Sequence, residues 1–144
     1  MANELAIDTA DRIEVVESWE QLTLIAAEAI EAGHIVRCNG TDGKFTTANG
    51  SSMTEGKFYG IATRSVASGE PVTAIRRGIL DGYDLSGLNY WATVYASDTD
   101  GRISGTAGTK AVTVGYVGAG NAPLLGTSPD KLLYLDPTYA AAIT

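Results

Sequence analysis

All 17 glycines and all four prolines of this 144-residue chain lie after residue 32. Glycine admits positive φ and proline removes a backbone donor, so a segment rich in both is cut into short elements joined by turns. The chain therefore divides at Gly33 into an unbroken N-terminal stretch and a punctuated remainder. A chain of this length supports one hydrophobic core that removes roughly 70% of its unfolded surface from water.

In the remainder, β-rich runs recur between turn signals at intervals typical of sandwiches and small barrels. Strands are expected at about Ile35 to Cys38, Lys44 to Thr47, Phe58 to Val66, Val72 to Leu80, Ala92 to Tyr95, Val112 to Val117 and Leu132 to Leu135. Ser68-Gly69-Glu70-Pro71 and Thr41-Asp42-Gly43 are the firmest hairpin turns, and Asp98-Thr99-Asp100-Gly101 has the same chemistry. Apolar residues return at every second position in Val72–Arg76 and Val112–Val114, the period of a half-buried strand. The fold class is thus all-β, a small barrel or sandwich.

Adjacent Arg76 and Arg77 interrupt this alternation, and neighbours on a strand point to opposite faces. One of them needs a partner, either a neighbouring subunit or a local carboxylate such as Asp81 or Asp84.

Residues before Gly33 read two ways. Ser18-Trp19-Glu20-Gln21 has the form of a helix capping box, while Ile13-Glu14-Val15 and Leu22-Thr23-Leu24 alternate as strands do. The preferred reading is a strand over Glu20 to Ile25, then a turn or a single helical turn over Ala27 to Ala32, with residues 1 to 12 as a mobile arm. The first 31 residues hold eight acids against one base, Arg12, which accounts for the whole formal charge of −7. Such a segment either solvates the N-terminus or suits a basic protein surface. The nine remaining bases are dispersed, so nucleic acid is not an expected partner. Neither is a membrane: no apolar run is long enough to span one, and the start lacks the marks of a secretion signal.

Signals for chemistry dissolve on inspection. Gly118-Ala119-Gly120 begins like a dinucleotide loop, but Pro123 stands at the third glycine. Asp98 and Asp100 resemble part of a calcium loop whose first and last ligand positions are Ala96 and Ala107. Gly105–Lys110 lacks the order of a phosphate-binding loop. Cys38, the sole cysteine, has no disulfide partner and reads as a small buried residue. His34 is the only histidine, and four positions along a strand place it about 13 Å from Cys38, too far to share a proton. Asp81, Asp84, Asp98 and Asp100 sit in turns, where carboxylates commonly fix turn geometry. No catalytic, metal or cofactor residues are assigned.

Three runs carry a family resemblance: AEAIEAGHIVRCNGTDGKFTTA, KFYGIATRSVASGEPVTAIRRGILDGYDLSGLNYWATVYASDTDGRIS and VTVGYVGAGNAPLLGTSPDKLLYL. Their order, over about residues 20 to 136, resembles that of tailed-bacteriophage head decoration proteins. The resemblance implies a small β-barrel or sandwich over 20–144 and an acidic N-terminal arm over 1–19. It also implies a non-enzymatic virion protein, made in the host cytoplasm, that assembles as homotrimers on the capsid exterior and binds the major capsid protein. Candidate interface residues are Glu14, Glu17, Trp19, Glu20, Arg76, Arg77 and Tyr90, with Trp19 either an interface anchor or a lid on the core. Trp91 is expected in the core. The alternative is a carbohydrate-binding or tail-associated adhesion module using Tyr83, Tyr90, Trp91 and Tyr95 as a stacking platform, and a hydrolase built on His34 ranks last.

Overall fold

A computed structural model describes residues 4–7, 13–120 and 131–137, the side chain of Met53 excepted. The chain is all-β. Its strands are β1 (Glu14–Ile25), β2 (Ile35–Cys38), β3 (Phe45–Thr47), β4 (Gly60–Ala62), β5 (Pro71–Asp81), β6 (Thr93–Ala96), β7 (Ile103–Ser104), β8 (Thr113–Ala119) and β9 (Lys131–Leu135), with one helical turn, α1 (Met53–Gly56), between β3 and β4. They form one antiparallel sheet in the order β3-β2-β4-β5-β9-β8-β6-β7, curled into a half-barrel. β1 lies alongside β5 on the side opposite β4 and β9.

Turn chemistry sets these elements. Gly69, at φ +90, lets Ser68–Glu70 join β4 to β5, and the Glu70 carboxylate accepts the Ala67 N–H. Gly43 does the same for the β2–β3 hairpin, with Asp42 accepting the Lys44 N–H. α1 begins at Ser52, whose hydroxyl accepts the Glu55 N–H.

Both sheet faces are covered near β2, β4 and the first half of β5. Ile35, Ile61, Ile75, Leu80, Val94, Ile103, Val117, Leu133 and Leu135 point into the curl and form the larger core with Phe58. On the convex side, Val36, Phe45, Ala62, Val72 and Ala74 pack beneath Ala26 and Ile30 as a second, smaller core. Each fully buried Ile, Leu or Phe contributes about 1.5–3 kcal/mol through the surface it removes from water.

β5 serves both cores in its first half, where both faces are covered, and its phase changes midway. Gln21 pairs with Ile75 and Glu20 with Arg77, which leaves Arg76 as an extra residue. A bulge of this kind flips the alternation. Ala74 and Ile75, as neighbours, face opposite cores by simple alternation, and the bulge after them returns Leu80 to the same core as Ile75 while Arg77 and Ile79 face outward.

Three differences from the sequence reading follow. The strand expected to open at Glu20 begins at Glu14, so β1 runs through position 19 without a break. Leu5 and Ile13 belong to the larger core, Glu4 bridges to Ser104 and Ile7 to Tyr83, so the described part of residues 1–12 is stitched to the body. Cys38 is exposed although it shares the face of buried Val36, because it is the last residue of β2, opposite Phe45, where the strand ends.

Candidate functional site

β1 has an unusual environment for a strand of 12 residues. Leu24 is half-buried and every other residue is exposed. Its far edge has no strand partner among the described residues. Val15, Val16, Trp19, Leu22 and Ile25 supply five of the seven large apolar side chains found exposed among those residues. Register explains two of them. Val15 pairs with Leu80 and Glu17 with Ile79, while Ser18 pairs with Gly78 and Glu20 with Arg77, so Val16 and Trp19 are each a bulged extra residue. Trp19 is 62% exposed, and its Nε1 donates to Glu17 Oε1 at 2.9 Å. It does not lid the core. From Gln21 to Ile25 the pairing is regular, fastened by the Thr23 and Thr73 hydroxyls at 2.6 Å.

The two arginines have local partners other than Asp81 or Asp84. Arg76 Nε lies 3.8 Å from Glu20 Oε2, its guanidinium covers the Tyr59 ring, and Nη1 donates to the Tyr59 carbonyl at 3.2 Å. Arg77 Nη2 lies 3.4 Å from Asp136 Oδ1. Asp81 instead accepts the Gly82 N–H, and Asp84 accepts the Ser86 N–H and hydroxyl.

Beyond the bulge the convex face carries a row of register partners: Glu17, Ile79, Tyr134, Tyr116 and Thr93, on β1, β5, β9, β8 and β6. Tyr116 and Tyr134 stack with centroids 6.3 Å apart, and Trp91 packs on both at 5.5 and 6.1 Å. Trp91 is 66% exposed, against the core position expected for it. Its backbone explains this: at φ +67 the residue occupies the left-handed region, its N–H is tied to the Val117 carbonyl, and the side chain turns outward. Tyr90 is also exposed, with the Lys131 ammonium 5.2 Å from its ring centre and bonded to the Leu88 carbonyl.

The four-residue aromatic platform is not assembled. Tyr83 is buried and donates its hydroxyl to the Gly33 carbonyl, and Tyr95 is half-buried on β6. Tyr116 and Tyr134 are the rings that join Trp91. Neither was among the rings the sequence reading singled out: Leu132 to Leu135 carries no alternation that shows which way Tyr134 faces, and strict alternation from Val112 and Val114 would turn Tyr116 inward. Val94 pairs with Gly115 and Tyr95 with Thr113, so a bulge at Val114 reverses the phase and leaves Val117 buried instead.

Several titratable groups away from this face are engaged in structure. Hydrogen bonds from Ser97 and Thr99 hold the Glu4 carboxyl below its ordinary value, and those from Thr46 and Thr47 do the same for Glu28. Asp98 is lowered by the Thr109 N–H and hydroxyl. Burial lowers His34, with Arg102 adding to the effect and Glu31 opposing it. An open depression of about 410 Å³ beside the N-terminal segment is lined by Glu4, Leu5, Asp84, Ser86, Leu88 and Thr106 among others, and His34 is not part of it. Among the described residues no three His, Cys, Asp or Glu side chains converge as a metal site would require.

Among the described residues the arrangement offers a strand edge without a strand partner and an aromatic convex face. No protein-family model, curated protein or solved structure matches the chain.

Proposed function

We propose that this chain is a structural virion protein that binds the outer surface of a phage capsid and ties neighbouring subunits of the major capsid protein together. The observation that carries the reading is the edge of β1 that has no strand partner among the described residues, with its acids Glu14, Glu17 and Glu20 and its exposed apolar residues. A long apolar strand edge left open in a free protein is an aggregation hazard, and a permanent partner removes it. The order of sequence runs resembling head decoration proteins names that partner.

A strand of the coat added to Gln21–Ile25 would gain main-chain hydrogen bonds along the regular part of the edge. Glu14, Glu17 and Glu20 would select a basic strand: antiparallel pairing of two β1 copies centred on Glu17 sets Glu14 against Glu20, and like charges directly opposite destabilise. Assembly as homotrimers, which the resemblance also implies, would multiply modest contacts into one avid attachment.

Sedimentation with expanded, DNA-free capsids of the phage that encodes the chain tests the reading. The protein should pellet with them, and Leu22→Lys/Ile25→Lys should stay in the supernatant while keeping its own thermal midpoint, since both side chains are exposed. Wild-type protein that never pellets would defeat the proposal.

A further inference from the structure

We infer that the convex face around Trp91, Tyr116 and Tyr134 is a second docking surface, and that its occupant is a basic protein surface that lays an arginine on Trp91. The inference rests on the capsid reading only for the identity of that partner. The face itself follows from register. Ile79, Tyr134 and Tyr116 occupy adjacent strands in one row, Leu132 pairs with Gly118 in the next, and Trp91 closes the patch at the β8 side. At the opposite side Glu17 accepts the indole N–H of Trp19. Both tryptophans of the chain thus border one outward face. The second core stops short of it, so the far half of β5 has no covering layer among the described residues.

Ring geometry narrows the occupant. The three rings lie 5.5 to 6.3 Å apart and pack on one another, leaving no slot into which a flat ligand could slide between two of them. What remains open is the solvent side of Trp91, a surface for one stacked group. Charge then selects that group. Arg77 is engaged by Asp136 and the Lys131 ammonium by the Leu88 carbonyl. Glu14 and its register partner Asp81, together with Glu17, line the β1 side of the face, across from Trp91, and have no ion-pair partner among the described residues, so they would meet further basic groups of the same partner. An aromatic surface with an acidic flank favours a cation that can lie flat, and a guanidinium stacks on indole as an ammonium does not. Backbone strain at Trp91 fits this use, because the left-handed conformation is what keeps the indole outside.

Each tryptophan can be read alone in Trp19→Phe and Trp91→Phe proteins. In fluorescence titrations with a short Arg-Gly repeat peptide, the protein retaining only Trp91 should show a saturable change in emission. The Lys-Gly peptide should act more weakly, maltohexaose should do nothing, and Glu17→Lys should diminish the response. Trp91→Ala should lose roughly tenfold or more in affinity for expanded capsids at an unchanged thermal midpoint. An unmoved Trp91 signal with the Arg-Gly peptide, or a response to maltohexaose instead, would overturn the inference. Capsid binding that leaves Trp91 solvent-exposed would overturn it too while sparing the capsid role. Peptide binding at Trp91 by a protein that ignores capsids would sink the capsid role and leave the face standing.

Discussion

Gly118 lies directly beneath the ring of Tyr134: a β-carbon at position 118 would fall inside the space of Cδ1, Cε1 and Cζ of that tyrosine. The absence of a side chain on β8 is what lets the ring lie flat, with its hydroxyl donating to the Ala119 carbonyl at 2.9 Å. Gly118→Ala should therefore force the ring off the sheet and dissolve the aromatic cluster. A loss of about 1–3 kcal/mol is expected from overpacking, together with a changed near-ultraviolet circular dichroism spectrum. An unaltered spectrum would mean that the ring is not held there.

β1 depends on another close approach. A β-carbon at Gly78 would collide with the Glu17 carbonyl oxygen, which is backbone and cannot swing aside. Gly78→Ala should detach the first half of β1 from β5 and cost several kcal/mol, on the order of a severe overpacking change. Faster amide exchange over residues 14–18, with Gln21–Ile25 still protected, is the expected signature.

The N-terminal segment contributes to folding as well as to any interface. Leu5 and Ile13 lie in the larger core, the Leu5 carbonyl accepts from Arg102 Nη2 at 2.9 Å, and Ser97 donates to Glu4. Removal of residues 1–19 should consequently destabilise the protein as well as weaken its attachment. Ile13→Ala alone should cost about 2–5 kcal/mol in denaturant unfolding. Trp19→Ala, at an exposed bulge, should cost little and test attachment cleanly.

His34 gives the fold a pH dependence of definite sign. Its folded-state pKa is depressed, chiefly by burial, so the unfolded chain takes up the proton first as pH falls. The associated stability is complete above the ordinary value of 6.5 and declines as pH drops from there toward the lower folded value. Thermal midpoints measured from pH 7.5 down to about 5.5 should fall in the wild type and fall less in His34→Gln. Gly101→Ala makes a companion, because a β-carbon there would strike the imidazole.

The fold class was legible because glycine and proline mark the turns while valine and isoleucine mark the strands between them. Ile35–Cys38 matches β2 end to end, and Ser68–Glu70 and Thr41–Gly43 make the turns they spell. The parts that were not legible share one cause. Bulges at Val16, Trp19, Arg76 and Val114 each reverse the alternation, and no residue type announces a bulge in advance. Tyr116 and the start of β1 were missed for that reason. Trp91 was missed differently: hydrophobicity argues for burial, and only its positive φ turns it out. Of the candidate interface residues, Glu14, Glu17, Trp19 and Glu20 share β1, and Arg76 and Arg77 adjoin them on β5. Tyr90 stands apart beside Trp91.

The most direct test of the capsid role is mechanical. Expanded capsids lacking this protein would be heated with and without saturating amounts of it, and their rupture temperature read by light scattering or particle imaging. Bound protein should raise that temperature, with copies occupying equivalent positions on the outer lattice. Equal rupture temperatures with the protein bound, or protein found on the inner surface, would contradict the account.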